Sequence, residues 1–264
     1  MIEKILKDLS NKLNIDIKSE DIYFFNDGAS DSLVFKIREK YLIKTLDEIE
    51  FKTFIEFFNY YKNDRFQKIV CYDKDLLYMC FEYIEGNLFR KSKIGNPKDI
   101  VKELANIVSI YREYNNEKYG YLYEESRSWD SFLFNESYKE KNKDIINYYK
   151  LFESLEIIKK YKCPKYLIHG DFGTHNFIMN NGTIKVIDPM PVVGDYLYDF
   201  YYAIFTDTLI FKDLDIDYIL SFFDRDYEYK KALMTICFFI RMNRAIKYDP
   251  DKVEIYINYL ENKY

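Results

Sequence analysis

Two carboxylates, Asp171 and Asp188, and one amide, Asn176, have residue types and spacings that suit phosphoryl transfer. Four residues separate Asp171 from Asn176, and Asp188 follows at the far end of a predicted hairpin, so the three side chains are predicted to converge. Phosphoryl transfer needs a carboxylate that accepts the proton of the attacking hydroxyl. A carboxylate and an amide oxygen are ligands that Mg²⁺ takes beside phosphates and water. The set therefore predicts Mg²⁺-dependent phosphoryl transfer.

The segment around Asp171 resembles the signature of the aminoglycoside phosphotransferase and choline kinase family. That signature reads H-G-D-x-x-x-x-N, then I-D at the end of a hairpin, then G-D-x-x-x-D. The corresponding segments of this chain are His169-Gly-Asp-Phe-Gly-Thr-His-Asn176, Ile187-Asp188 and Gly194-Asp-Tyr-Leu-Tyr-Asp199. Pro189 departs from the pattern, because the family commonly has Phe or Trp after the metal-binding Asp.

The resemblance implies a role for each acidic or amide side chain of these segments. It implies that Asp171 is the catalytic base, that Asn176 and Asp188 hold Mg²⁺, and that Asp199 braces the catalytic loop. ATP or GTP is the implied phosphoryl donor.

Two further residues of the signature are expected to support the loop without entering the reaction. His169 is expected to pack and form hydrogen bonds within the loop. Asp195 is expected to cap the helix that opens at Tyr196, since short carboxylates are good N-caps.

The N-terminal part contains candidates for binding the phosphates of the nucleotide. Gly28, Ser30 and Ser32 lie between two predicted strands, where main-chain N–H groups and hydroxyls are expected to cover the phosphates. Lys44 lies on an apolar predicted strand and is expected to reach the α and β phosphates.

The resemblance also implies a helical glutamate that pairs with Lys44. Glu50 is the predicted partner because it shares a helix face with Phe54, and Glu48 and Glu56 remain competitors.

The segment Phe81-Glu-Tyr-Ile-Glu-Gly86 resembles the family's hinge, which meets the nucleobase. Its predicted residues are Glu82, Tyr83 and Ile84, which would act through main-chain groups. The register of this segment leaves ATP and GTP as equal alternatives.

Hydrophobic periodicity predicts the elements that position these residues. An amphipathic helix is predicted over 2–13, and a helix over 47–61 is inserted among five strands at 22–25, 33–37, 41–43, 69–71 and 76–81. The Asn-Asn-Gly sequence within 177–187 predicts a tight hairpin. The remaining segments have helical period, and their predicted helices are 98–114, 143–161, 196–205, 216–223, 227–246 and 252–262.

This order of elements predicts an α+β, bilobal, protein-kinase-like fold. The first lobe holds a five-stranded antiparallel sheet with one main helix, and the second lobe is mostly helical. Glu85-Gly86 breaks the strand pattern, so the predicted domains are a nucleotide-binding lobe, 1–85, and a catalytic and substrate-binding lobe, 86–264.

Composition and charge exclude several classes of protein. The formal net charge is -5, from 44 acidic and 39 basic side chains, which argues against nucleic acid as a partner. No stretch approaches the roughly 18 apolar residues of a membrane helix, so no membrane partner and a cytoplasmic location are expected. The four cysteines are scattered and are expected to be buried thiols. The oligomeric state is not indicated.

The predicted acceptor is the hydroxyl of a small molecule, first of all a cationic, aminoglycoside-like antibiotic. The acidic run Asp207, Asp213, Asp215 and Asp217 is a candidate for holding amines, although such a run is more often a solvated face. Choline, ethanolamine or a sugar is the alternative acceptor. A protein acceptor is disfavoured, because no long segment separates Asp188 from Gly194, and a non-catalytic nucleotide-binding regulator is the rival of another class.

Overall fold

The computed structural model describes residues 1–25, 32–91, 95–123 and 128–263. The described helices are α1 (Ile2–Leu13), α2 (Glu48–Tyr60), α3 (Pro97–Val108), α4 (Trp129–Ser137), α5 (Tyr149–Ile158), α6 (Tyr196–Thr206), α7 (Thr208–Phe211), α8 (Ile216–Leu220), α9 (Tyr227–Tyr248) and α10 (Val253–Lys263). The described strands are β1 (Ile22–Phe25), β2 (Val34–Ile37), β3 (Tyr41–Thr45), β4 (Ile69–Asp73), β5 (Tyr78–Glu82), β6 (Asn87–Leu88), β7 (Gly120–Tyr121), β8 (Tyr166–Ile168), β9 (Phe177–Asn180), β10 (Thr183–Val186) and β11 (Val192–Gly194).

The chain divides into two compact units. The first contains Met1–Leu88 and Phe177–Asp188, and the second contains Phe89–Asn176 and Pro189–Tyr264. The sequence predicts a nucleotide-binding lobe, 1–85, and a catalytic lobe, 86–264. That division assigns a function to each lobe, and it stays a prediction.

The first unit is built on a five-stranded antiparallel sheet with the order β1-β2-β3-β5-β4. One face of the sheet is covered by α1, because its apolar positions Ile5 and Leu9 repeat at helical spacing and pack on Phe35, Ile37 and Ile43. The predicted sheet and main helix are confirmed. Ile49, an apolar residue in the first turn of α2, is 58% exposed.

The predicted hairpin is formed by β9 and β10, with Asn181 and Gly182 at positive φ in the turn. Its strand β9 also pairs with β6, which makes a second, three-stranded sheet. Gly86 permits this pairing, because its φ is +152° and an added Cβ would lie 2.3 Å from the carbonyl oxygen of Met179.

The second unit is mostly helical, with α9 packed on α5 and α6. It also contains the short antiparallel sheet β7-β11-β8, which the sequence did not predict, because strands of two or three residues show no period. The predicted helix over 143–161 begins only at Tyr149, and the one over 98–114 ends at Val108.

Within the described residues, no helix is both long and apolar enough to cross a membrane. All four cysteines are free, and Cys71 alone among them is only half-buried.

Candidate active site

The loop that carries Asp171 is attached to a buried carboxylate on α6. Strand β8 ends at Ile168, and the next two main-chain N–H groups, those of His169 and Gly170, donate to the carboxylate oxygens of Asp199 at 2.8 and 3.0 Å. Gly170 has a φ of +80°, and an added Cβ would lie 2.0 Å from the carbonyl oxygen of Met190. Glycine is therefore required where the chain turns toward Asp171.

Burial dominates the electrostatics of Asp199. Its side chain is fully buried, and desolvation raises the pKa of the carboxyl to about 7, although three donors favour the charged form. Those donors are the N–H groups of His169 and Gly170 and the hydroxyl of Tyr111, which lies 2.7 Å from Oδ2.

This raised pKa predicts a pH dependence of stability. The folded state holds the proton of Asp199 more tightly than the unfolded state, so the contribution of Asp199 is greatest below pH 3.8 and is lost as the pH rises to about 7. The loss has a slope of at most about 1.4 kcal/mol per pH unit. We expect the difference in unfolding free energy between the wild type and Asp199→Asn to fall across this window and to be constant above it. A difference that is flat from pH 4 to 7 in urea titrations would contradict the assignment.

Four donors surround the carboxylate of Asp171 in the second unit. Oδ1 accepts from the Tyr202 hydroxyl at 2.8 Å and from Nη1 of Arg244 at 3.1 Å. Oδ2 lies 2.9 Å from Nε2 of His175 and accepts from Nδ2 of Asn176 at 3.1 Å. We call these five residues the Asp171 cluster.

The helices α6 and α9 supply the Oδ1 side of the Asp171 cluster. Tyr202 follows Asp199 by three residues on α6, so one face of this helix holds both the loop and the carboxylate of Asp171. Arg244 follows Arg241 by three positions on α9, and both guanidinium groups lie over the ring of Tyr202, at 5.0 and 5.2 Å from its centroid. Nη1 of Arg241 also donates to the Tyr202 hydroxyl at 2.9 Å.

The donors outweigh burial in setting the charge of Asp171. Burial alone would raise the pKa of this carboxyl, but the hydrogen bond with His175, the charge of that ring when protonated, the charge of Arg244 and the Tyr202 hydroxyl hold it far below its usual range. Asp171 is therefore ionised at neutral pH, as a proton acceptor must be.

The two supporting residues occupy distinct structural positions. The carbonyl oxygen of His169 accepts from the N–H of Met190 at 2.8 Å, and its ring packs edge-on against Phe172. Asp195 caps α6 by accepting from the N–H of Leu197 at 3.0 Å, and burial raises the pKa of its carboxyl.

In the first unit, the ammonium of Lys44 forms an ion pair with Oδ1 of Asp188. The ammonium also lies over the ring of Phe54, 5.0 Å from its centroid. Asp188 has a φ of +58°, a left-handed conformation that Asp and Asn tolerate better than most residues. Such backbone outliers concentrate at ligand sites. We call Lys44 and Asp188 the Lys44 pair.

Glu50 is not part of the Lys44 pair. Its Oε2 accepts from the N–H of Asp47 at 3.2 Å, which closes the capping box at the start of α2. Among the described residues, the ion pair that Lys44 makes is with Asp188. The predicted pairing of Glu50 with Lys44 is thus not present in this structure.

The predicted hinge continues the sheet of the first unit. The N–H groups of Glu82 and Tyr83 donate to the carbonyl oxygens of Lys68 and Lys40, each at 2.9 Å. Within the described chain, the N–H of Ile84 makes no hydrogen bond.

The predicted phosphate-covering loop is described only in part. Gly28 and Ser30 lie outside the described residues, and Ser32 is half-buried two residues before β2.

Solved structures with known ligands share this architecture along nearly the whole chain. The ADP-bound aminoglycoside phosphotransferase APH(2'')-Ib matches 95% of this chain and 90% of its own at 16% identity and a TM-score of 0.54. APH(4)-Ia, in a ternary complex with AMP-PNP and hygromycin B, matches 96% and 95% at 12% identity and a TM-score of 0.58. The chain has the fold of the aminoglycoside phosphotransferases. The predicted α+β, protein-kinase-like fold is confirmed.

A third neighbour extends the comparison beyond antibiotics. A putative fructosamine-3-kinase from Thermobifida fusca matches 97% of this chain and 98% of its own at 10% identity and a TM-score of 0.57. No protein-family model and no curated protein matches the sequence itself. At these identities the likeness concerns the fold, and the acceptor has to be argued from residues.

The donor atoms of Asn176 and Asp188 fit Mg²⁺ in type. Nδ2 of Asn176 donates to the main-chain oxygen of Asp171 at 2.9 Å, so the amide oxygen is the end that is not used on Asp171. Asp188 offers a carboxylate with 46% of its side chain exposed. One carboxylate and one amide oxygen suit a hard cation that keeps water and phosphate ligands. Within the described residues, no group of three or more His, Cys, Asp or Glu side chains is placed to hold a metal without such ligands.

Sequence reasoning missed Tyr202, Arg241 and Arg244. The two arginines had a usable signal, because they interrupt an otherwise apolar stretch of α9 and charged side chains are seldom buried without a partner.

Proposed function

We propose that the protein is a Mg²⁺-dependent kinase that transfers the γ-phosphoryl group of ATP or GTP to a hydroxyl of a small molecule. The observation that supports this most is the Asp171 cluster. An ionised carboxylate stands on a loop attached to Asp199, and the amide of Asn176 lies against it. The shared fold supports the same reaction class, although a fold by itself does not define a function.

In the proposed reaction, Asp171 orients the acceptor hydroxyl and takes its proton. The hydroxyl oxygen bonds to the γ-phosphorus, and the bond from that phosphorus to the β,γ-bridging oxygen breaks, with its electron pair leaving on the nucleoside diphosphate. Asn176 and Asp188 would hold Mg²⁺, which neutralises phosphate charge. Asp171 then releases the proton to water.

Nucleotide binding is assigned to residues 1–85, and catalysis with acceptor binding to 86–264. Lys44 would leave Asp188 for the α and β phosphates when the nucleotide enters. Gly28, Ser30 and Ser32 would cover the phosphates, and Ile84 would meet the nucleobase through its N–H. The neighbours bound to ADP and AMP-PNP support this assignment by analogy of fold.

The first proposed acceptor is a hydroxyl of a cationic, aminoglycoside-like compound. The hygromycin B complex of one neighbour supports an aminoglycoside-like acceptor by analogy of fold. Against it, two carboxylates of the acidic run are helix caps, since Asp207 accepts from the N–H of Leu209 and Asp215 from the N–H of Asp217. Choline, ethanolamine and sugars remain alternatives, and the cytoplasm is the proposed location.

A coupled assay of nucleoside diphosphate release tests the proposal. We expect release from ATP or GTP to require Mg²⁺ and to accelerate when the true hydroxyl compound is added. Thermal unfolding should shift upward with the nucleotide, because a ligand at 100 times its Kd stabilises by about 2.7 kcal/mol.

The same experiment separates the kinase from its rival. A nucleotide-dependent thermal shift without release, across aminoglycosides, amino alcohols, sugars, hydroxy acids and sugar phosphates, would favour a non-catalytic regulator. Release that is unchanged by chelation of Mg²⁺ would count against the metal assignment.

A further inference from the structure

Four donors from the described residues fill the hydrogen-bonding positions of the Asp171 carboxylate. A carboxylate offers about four lone-pair sites, two on each oxygen. Tyr202 and Arg244 donate to Oδ1. His175 and Asn176 lie at hydrogen-bond distance from Oδ2. An acceptor hydroxyl, or a water molecule, that is to bind Asp171 must therefore replace one of these four donors.

Three of the four donors are held by further contacts. The hydroxyl of Tyr202, which is fully buried, also accepts from Nη1 of Arg241 at 2.9 Å. Arg244 lies over the Tyr202 ring and also donates to its hydroxyl. Nδ2 of Asn176 donates to the main-chain oxygen of Asp171 at 2.9 Å. Replacing any of these three donors would disturb a second contact.

His175 is the donor with the fewest contacts. Its side chain is 32% exposed, against 27% for Arg244. Within the described part of the chain, the hydrogen bond of its ring is the one between Nε2 and Oδ2 of Asp171, at 2.9 Å. The ring can therefore turn toward solvent at the cost of a single hydrogen bond.

Gly173 provides the space that the ring of His175 occupies. A Cβ added to Gly173 would lie 2.4 Å from Cε1 and 2.7 Å from Nδ1 of this ring. Gly173 is not among the glycines with positive φ, so its lack of a side chain serves space rather than backbone conformation.

The main chain of this loop is held independently of the ring. The N–H of Gly173 donates to the carbonyl oxygen of Asp171, and the N–H of Asn176 donates to the carbonyl oxygen of Gly173, each at 2.8 Å. Only the side chain of His175 has to move for Oδ2 to become accessible, and the loop can stay in place.

An occupied Oδ2 has a use in a kinase, because water competes with the acceptor for the phosphoryl group. Active sites that exclude water prevent the hydrolysis of reactive groups. While the ring of His175 lies on Oδ2, neither water nor a hydroxyl can bind Asp171 at that position.

We propose that the ring of His175 holds the place of the acceptor: it occupies the position of the attacking hydroxyl on Oδ2 of Asp171, keeps water from it, and turns away when the acceptor binds. This inference rests on the proposed kinase function. His175 acts through Asp171 and is thus a positioning residue.

Three variants of the full chain test this role. His175→Ala removes the ring. Gly173→Ala keeps the ring but displaces it from Oδ2, and the cost is small because Cε1 and Nδ1 are at the far end of a flexible side chain. The added methyl group also meets Cγ2 of Thr206 at 3.2 Å, which needs a shift of only a few tenths of an ångström. His175→Gln is the matched control, since a glutamine NH₂ can donate to Oδ2 as Nε2 does.

The first measurement needs no acceptor compound. MgATP and MgGTP are supplied alone, and the release of nucleoside diphosphate and inorganic phosphate reports transfer to water. In that transfer the water oxygen bonds to the γ-phosphorus, the bond to the β,γ-bridging oxygen breaks, and one proton is released to solvent. We expect hydrolysis by His175→Ala and Gly173→Ala to exceed that of the wild type about twofold to tenfold, the weight of one net hydrogen bond in the equilibrium between the two ring positions. His175→Gln should stay at the wild-type rate.

The second measurement separates KM from kcat. Hygromycin B, gentamicin, choline, ethanolamine and glucose are the probes, and each one that accelerates release in the wild type is titrated. We expect the KM for the compound to fall about twofold to tenfold in His175→Ala and Gly173→Ala, because the hydroxyl then displaces only water. The kcat should stay near that of the wild type, since the ring has already left once the compound is bound. Direct titration of the compound in the presence of AMP-PNP checks that KM follows binding.

Three results would overturn the inference. One is a lower kcat in His175→Ala with unchanged KM and no gain in hydrolysis, which would mean that the ring only orients Asp171 and would leave the kinase proposal intact. Another is wild-type hydrolysis and KM in a folded Gly173→Ala protein. The third is the absence of nucleoside diphosphate release from the wild type and all three variants, with and without the five compounds, which counts against the kinase function and, with it, against this inference.

Discussion

Asp171→Asn is expected to lower turnover about 10²-fold to 10⁴-fold, the typical cost of removing a general base. Asparagine has the shape of aspartate, but its amide group cannot take the proton of the acceptor hydroxyl. Its oxygen can still accept from Tyr202 and Arg244, and its NH₂ can donate to a neutral His175. Asn176 keeps its bond to the main-chain oxygen of residue 171. The loop should therefore stay folded while the reaction stops.

The measurement is nucleoside diphosphate release with the hydroxyl compound that accelerates it in the wild type, alongside nucleotide affinity and thermal unfolding. Asp226→Asn is the matched control. This residue caps α9 through the N–H of Tyr229, and asparagine caps as well as aspartate. About 27 Å of helix separates it from Arg244, at 1.5 Å per residue. Wild-type turnover in a folded Asp171→Asn protein would remove Asp171 from the role of base.

Local sequence signals predict the elements that hold the candidate site. The helix over 2–13 has the predicted bounds because its periodic apolar face packs on the core, and the strand over 22–25 has them because it pairs along its length with β2. The Asn-Asn-Gly turn sets the register of β9 and β10. The short separation of Asp171 and Asn176 brings their side chains within 3.1 Å, since four intervening residues form a single turn.

Residues distant in sequence could not be predicted in the same way. Arg244 reaches Asp171 across 73 positions, and only the packing of α9 on α6 brings it there. Glu50 shows the opposite difficulty, because its motif position suggested Lys44, whereas a local bond to the N–H of Asp47 uses its carboxylate. A motif identifies which residue types are present, and packing decides which of them meet.

Gly170→Ala is expected to destabilise the second unit by more than about 3 kcal/mol. A loss of this size is unusual for one substitution and needs a specific cause, here a steric conflict. Part of the cost is the positive φ of +80°, which a side chain tolerates poorly. The larger part is contact, because the new Cβ would lie 2.0 Å from the carbonyl oxygen of Met190 and 2.9 Å from Cγ2 of Val192. Backbone must move to relieve the first contact. That movement would break the bonds from the loop to Asp199 and displace Asp171.

Gly182→Ala separates these two costs. Its φ is +77°, almost that of Gly170, but nothing lies within 4 Å of the added Cβ in the hairpin turn. The free energy of unfolding of Gly182→Ala should therefore fall only by the conformational strain, about 1 to 2 kcal/mol. Urea unfolding of both variants measures the difference, and turnover measured on the folded fraction reports whether Asp171 has moved. Equal losses of stability in the two variants would show that the backbone around Met190 yields without cost, and that the loop is held by Asp199 rather than by the close approach at Gly170.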